Sequence, residues 1–181
     1  MPFANTLFIS QALKRGNELG FGRISKVPFL GLGIATIWII LDQITKTLAQ
    51  SNLSHGPDLL FGQLGFELIY NSGIAFGIAP GSSWLITIFD LLVASGLVFA
   101  LFRTKRTPIA IGIGLVLGGS LGNVMDRLFR HNGGAVIDFL HSGFWPTFNL
   151  ADLGVVVGLV IIVFYSSRTD QSAKAQKTRT R

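Results

Sequence analysis

Apolar residues gather into four stretches, approximately Phe29 to Ala49, Trp84 to Phe102, Pro108 to Leu128 and Leu150 to Tyr165. At about 1.5 Å of helical rise per residue, each is long enough to cross roughly 30 Å of hydrocarbon. The segment between the first two, Leu59 to Gly73, lacks helical periodicity. Its short apolar runs, punctuated by Gly and Asn, predict short strands joined by a turn. Glu67 within it and Asp58 just before it are its charges.

Composition places this pattern in a bilayer: 49% hydrophobic residues against 13% charged, with a mean hydropathy of +0.55. A chain of 181 residues has room for one compact bundle. The expected division is an N-terminal arm over 1–28, a four-helix membrane domain over 29–166 carrying the insertion 50–83, and a basic tail over 167–181. The first apolar run is span-length and not the short core of a cleaved leader, so it is expected to stay in the mature protein. Cysteine is absent. That removes disulfides, thiolate nucleophiles and zinc-thiolate sites, and leaves chemistry to oxygen and nitrogen.

Charge then orients the bundle. Lys14, Arg15, Arg23 and Lys26 precede the first span; Arg103, Lys105 and Arg106 fill the turn between spans two and three; Arg168, Lys174, Lys177, Arg179 and Arg181 follow the fourth. All fall on one side, whereas Gln50 to Ser83 holds no Lys or Arg. The positive-inside bias makes both termini cytoplasmic and the β-rich insertion an extracytoplasmic cradle between helices one and two. The tail, which lacks aromatics, is expected to fray against anionic lipid and not to bind nucleic acid.

Within this apolar background, Asp138 and Asp152 stand at the edge of the last span. An ionisable residue at the hydrocarbon boundary costs on the order of 3 kcal/mol and is a functional-site candidate by default. Asp42 and Lys46 lie one helical turn apart and offset each other's charge. Asn123, Asp126 and Arg127 form a polar cluster beside Gly118, Gly119, Ser120 and Gly122, small residues that permit close helix packing. Arg127 is the expected counter-charge of Asp126, a structural role, whereas neither Asp138 nor Asp152 has a basic residue close by in sequence. Asn71 to Gly73 offers an amide side chain and a glycine that admits another backbone. Asp90, inside span two, has no assigned role. His55, His131 and His141 are dispersed through loops without metal-ligand spacing, so no metal and no cofactor are expected. On these grounds a peptidase, a small proton or cation transporter and a non-catalytic scaffold all stay open, although no internal repeat of the transporter kind is visible.

Five blocks carry a family resemblance: Leu41-Asp42-Gln43-Ile44-Thr45-Lys46, Asn71-Ser72-Gly73-Ile74-Ala75-Phe76-Gly77, Gly122-Asn123-Val124-Met125-Asp126-Arg127, Val136-Ile137-Asp138-Phe139 and Phe148-Asn149-Leu150-Ala151-Asp152. In this order they resemble the signature blocks of the bacterial lipoprotein signal peptidases, signal peptidase II. The resemblance covers roughly Phe29 to Tyr165. It implies an aspartic endopeptidase of the bacterial inner membrane that cuts a prolipoprotein before its diacylglyceryl-modified cysteine, with Asp138 and Asp152 as catalytic dyad. Asp42, Lys46, Asn71, Gly73, Asn123, Asp126, Arg127 and Asn149 are implied as substrate-binding or supporting residues. Membrane lipid and the prolipoprotein are the implied partners of a chain expected to act as a monomer. Asn149 reads as the N-cap of the fourth helix with Asp152 three residues on, where free backbone N–H groups and the helix dipole favour a carboxylate. Asp152 is therefore expected to be the ionised member of the pair.

Overall fold

The computed structural model of the chain describes residues 25–60, 64–73 and 83–179. Four helices, α1 (Val27–Asn52), α2 (Ser83–Arg103), α3 (Thr107–Phe129) and α4 (Leu150–Arg179), are joined with three strands, β1 (Asp58–Leu60), β2 (Leu64–Asn71) and β3 (Val136–His141). Proline at the first turn starts both α1 and α3, where a missing N–H costs no intrahelical bond. All four helices contain a stretch long and apolar enough to cross a membrane; in α4 that stretch is Leu150–Ser167. Backbone helix then continues to Arg179, so the tail expected to fray is an extension of α4.

The third helix is the most enclosed of the four and forms the centre of the bundle. Its glycines make this possible. A Cβ on Gly114 would lie 2.5 Å from Gly31 O and one on Gly118 2.9 Å from Ala35 O, so α1 packs backbone to backbone against this face. Gly112 and Gly119 give α4 the same access on the other side. The matching stripe on α1 is Pro28, Gly31, Ala35, Asp42, Lys46 and Ala49, all buried at helical spacing. It changes along its length from small apolar residues to charged ones. The opposite faces present Ile37, Ile40, Ile44 and Leu48 of α1, Phe89, Leu92 and Phe99 of α2, and Val156, Val160 and Val163 of α4 outward, the surface that hydrocarbon covers.

The sheet is antiparallel in the order β1-β2-β3. Its first two strands form the hairpin predicted between helices one and two. The third comes from the α3–α4 connection, so the cradle has two sources in the chain. Ile137 and Phe139 pack with Ala49, Leu53 and Leu68, which seats the sheet on the end of α1. Residues 61–63 and 74–82, including the Ile74 to Gly77 part of the second block, and the arm up to residue 24 lie outside the described residues.

Candidate active site

Asp138 stands on β3 and not at the edge of a span as the sequence pattern indicated. Val136, Ile137, Asp138 and Phe139 are buried in succession, so the strand has no polar face to betray it. Its pairing with β2 sets Asn71 opposite Val136, hence on the same face as Asp138 two residues on. Asn71 Nδ2 donates to Asp138 Oδ2 at 3.0 Å, and Asn71 Oδ1 accepts from the N–H of Gly73 at 3.2 Å.

The chain returns from β3 through a short loop closed by Leu140 and Phe148, whose backbones exchange bonds of 2.8 and 3.1 Å. This closure delivers Asn149 beside Asp138. Asn149 and Asp152 then form a reciprocal cap at the start of α4: Asp152 N–H donates to Asn149 Oδ1 at 3.0 Å, and Asn149 N–H donates to Asp152 Oδ2 at 3.1 Å. The fully buried Asn149 also donates through Nδ2 to Asp138 Oδ1 at 2.7 Å and to Asn123 Oδ1 at 3.2 Å. Asn123 Nδ2 donates to Asp152 Oδ1 at 2.9 Å. One asparagine thus contacts both acids, and a second closes the ring from α3.

Burial pushes the Asp138 carboxyl up from its ordinary 3.8 to about 6. The Asn71 amide opposes the shift and the nearby Asp152 charge adds to it. Asp138 therefore holds a proton more readily than a free carboxyl, next to a second acid whose oxygens face amide donors. Among the described residues no Lys, Arg or His lies within salt-bridge range of either.

A charged cluster adjoins this pair. Lys46 Nζ lies 2.9 Å from Asp42 Oδ2 and 2.8 Å from Asp126 Oδ2, all three side chains fully buried. Arg130 Nε reaches Asp126 Oδ1 at 3.0 Å. The expected Asp126–Arg127 pairing does not occur: neighbours on a helix project about 100° apart, so the partner lies one turn on, at Arg130. Arg127 instead meets Asp90 at 2.9 Å, which gives the unassigned acid of span two its role. Gln43 and Arg130 were missed by sequence reasoning. Gln43 Nε2 donates to Asp126 Oδ1 at 2.9 Å, and Arg130 Nη2 donates to the Gln43 carbonyl at 3.0 Å. Arg130 at i+4 from Asp126 was the available signal. Among the described residues no group of three or more His, Asp or Glu comes together that could hold a metal ion.

An acid pair tied to asparagines at one end of a four-helix membrane bundle defines the class of molecule as a membrane enzyme. Comparison with known proteins gives the family. The family described as Signal peptidase (SPase) II matches residues 34–168, more than half of the chain. The lipoprotein signal peptidase of Rhodococcus jostii (strain RHA1) is 44% identical over 136 residues, covering 72% of this chain and 68% of that one. That of Syntrophomonas wolfei is 41% identical over 142 residues, covering 75% and 93%. Among solved structures, a bacterial membrane enzyme determined by the in meso method at 2.3 Å resolution superposes with a TM-score of 0.69 at 26% identity, covering 80% of this chain and 90% of that chain. The chain belongs to the signal peptidase II family, the enzymes that remove signal peptides from lipoproteins.

Proposed function

We propose that the protein is an aspartic endopeptidase that cuts a prolipoprotein before its diacylglyceryl-modified cysteine, with Asp138 and Asp152 as the dyad. The observation that carries this reading is the Asn149 bridge: two carboxylates, free of cationic partners among the described residues, accept from one buried residue, Asp138 Oδ1 from its side-chain amide and Asp152 Oδ2 from its backbone N–H. Two carboxylates held near each other ionise one at a time. With its carboxyl raised to about 6, Asp138 is the member that keeps the proton. Asp152, in the first turn of α4, is the carboxylate. Asp152 takes a proton from a water as the water oxygen attacks the scissile carbonyl. Asp138 donates its proton to the carbonyl oxygen as negative charge develops there. Collapse of the tetrahedral intermediate breaks the C–N bond: the proton taken up by Asp152 passes to the leaving amine, and the hydroxyl proton returns to Asp138 as the carbonyl re-forms.

The site lies at the bundle end opposite Lys26, Arg103, Lys105 and Arg106, which supports an extracytoplasmic site with both termini cytoplasmic in the bacterial inner membrane. Lys46, Arg127 and Arg130, at the site end, are engaged by Asp42, Asp90 and Asp126. The peptide approaches beneath the sheet while the acyl chains stay in lipid, since extracting them costs about 0.8 kcal/mol per CH₂. Asn71, Gly73, Asn123 and Asn149 hold the dyad and meet the substrate backbone; Asp42, Lys46, Asp126 and Arg127 support them. The chain acts as a monomer.

Cleavage of a diacylglyceryl-modified prolipoprotein in liposomes tests the reading. Asp138→Asn and Asp152→Asn, each folded, should lose on the order of 10³ or more in turnover. Retained cleavage in either variant, or an inert wild type whose variants alter proton flux, overturns it.

A further inference from the structure

We propose that Lys46, through the two acids it bridges, sets the separation of the Asp138 and Asp152 carboxylates and is a positioning residue for cleavage. The inference deepens the dyad reading and rests on it for its catalytic consequence. Its geometric content stands separately.

The ammonium of Lys46 has three N–H donors and three partners: Asp42 Oδ2 at 2.9 Å, Asp126 Oδ2 at 2.8 Å and Asn123 Oδ1 at 2.8 Å. Each partner continues to the dyad. Asp42 Oδ1 accepts the N–H of Ala151 at 2.9 Å, one residue before Asp152. Asp126 Oδ2 accepts the N–H of Ile137 at 3.1 Å, one residue before Asp138. Asn123, fixed by its bond from Lys46, turns its Nδ2 to Asp152 Oδ1 at 2.9 Å. One buried cation therefore connects to the backbone of β3, the backbone of α4 and a dyad side chain.

Holding helices together does not require such an arrangement. At Gly114 and Gly118 the same two helices meet closely through backbone and apolar side-chain atoms, with no charged group between them. Buried ion pairs, moreover, are often no more stabilising than well-packed apolar residues of the same volume. What the charged cluster adds is direction, because its short bonds fix the strand and the helix that carry the two acids. Space is reserved for it as well: a Cβ on Gly122 would lie 2.6 Å from Asp42 Oδ2, so α3 leaves that carboxylate its place.

The test uses the full chain in liposomes and the variant Asp42→Asn/Lys46→Met, which removes one positive and one negative charge and leaves the Asp126–Arg130 pair intact. The first readout is turnover of the diacylglyceryl-modified prolipoprotein, with KM measured separately. The second is independent of activity: nitroxides at Ile69→Cys, opposite Asp138 in the sheet register, and at Leu153→Cys on α4 report the distance between strand and helix in a chain with no native cysteine. The expected result is a fall in kcat of tenfold or more with KM within twofold, together with a shifted or broadened distance distribution. A folded variant with kcat within twofold of wild type, or with an unchanged distribution, overturns the inference. Should the double variant fail to fold, Asp42→Asn alone keeps Lys46 paired with Asp126 and is expected to lower kcat about threefold and move the distribution in the same direction; no change in either readout overturns it equally. If Asp138→Asn or Asp152→Asn keeps its activity, the dyad reading falls while the distance measurement still decides whether Lys46 fixes the spacing.

Discussion

Two pairs of acids share one end of the bundle, and what faces them differs. Asp42 and Asp126 lie within 3.0 Å of Lys46 or Arg130 and are fully buried. Asp138 and Asp152 receive their bonds from Asn71, Asn123 and Asn149, and Asp152 is only half-buried. A carboxylate bonded to a cation has its negative charge balanced in place by that partner. One held by neutral amides and close to a second carboxylate is able to exchange a proton. On the proposed mechanism this difference separates acids that position from acids that react.

The largest expected contrast comes from removing charge on the positioning side. Lys46→Met alone leaves Asp42 and Asp126 with one cation fewer between them, and breaking a buried ion pair by deleting one partner costs on the order of 3–5 kcal/mol. Denaturation in detergent should show that loss, and Asp42→Asn/Lys46→Met should recover at least half of it. Equal stability of the single and double variants would mean that the cluster is not electrostatically coupled.

On the reacting side the sign reverses. The Asp138 carboxyl is at about 6 folded against 3.8 ordinarily, so the folded chain binds more protons between these values and stability falls as pH rises through that window. Above pH 6 the ionised group is a net cost of about 3 kcal/mol, taking two units at about 1.4 kcal/mol each. Asp138→Asn removes this cost, although one of the facing amides must turn to meet the new NH₂ group. The variant should therefore be about 1–2 kcal/mol more stable than wild type at pH 8, with the gap closing as pH falls from 6 to 4. Denaturation across pH decides it; a variant less stable than wild type at pH 8 would place Asp138 with the positioning acids.

How far the sequence revealed this contrast depends on which contacts are local. The four spans, the hairpin and the cap of α4 follow from apolar length, turn residues and the spacing of Asn149 and Asp152, all readable along the chain. The two acids stood out because a carboxylate is costly near hydrocarbon. Their surroundings did not. Asp138 lies on a strand buried on both faces, whose apolar residues on either side of it carry no period of two. Adjacency in sequence paired Asp126 with Arg127, whereas a helix brings together residues one turn apart. Lys46 meets Asp126 across two helices and Asn71 meets Asp138 across two strands. Only the packed structure supplies such contacts.

The smallest expected effect tests whether the amides tune the reacting pair or merely fill space. Asn71 Nδ2 donates to Asp138 Oδ2 and so favours the ionised carboxylate; the same contact is the leading influence that opposes burial there. Asn71→Ala removes a donor from the charged form, so the Asp138 carboxyl should rise above about 6. With Asp138 as the proton donor of the proposed mechanism, the alkaline limb of kcat/KM moves to higher pH in the same direction. Turnover at the optimum falls only several-fold, since Asn149 still holds Asp138 Oδ1 at 2.7 Å. A pH profile measured on the folded variant separates the alternatives: a limb displaced upward means that Asn71 acts on the proton, and a uniform loss at every pH means that it acts on the placement of the strand.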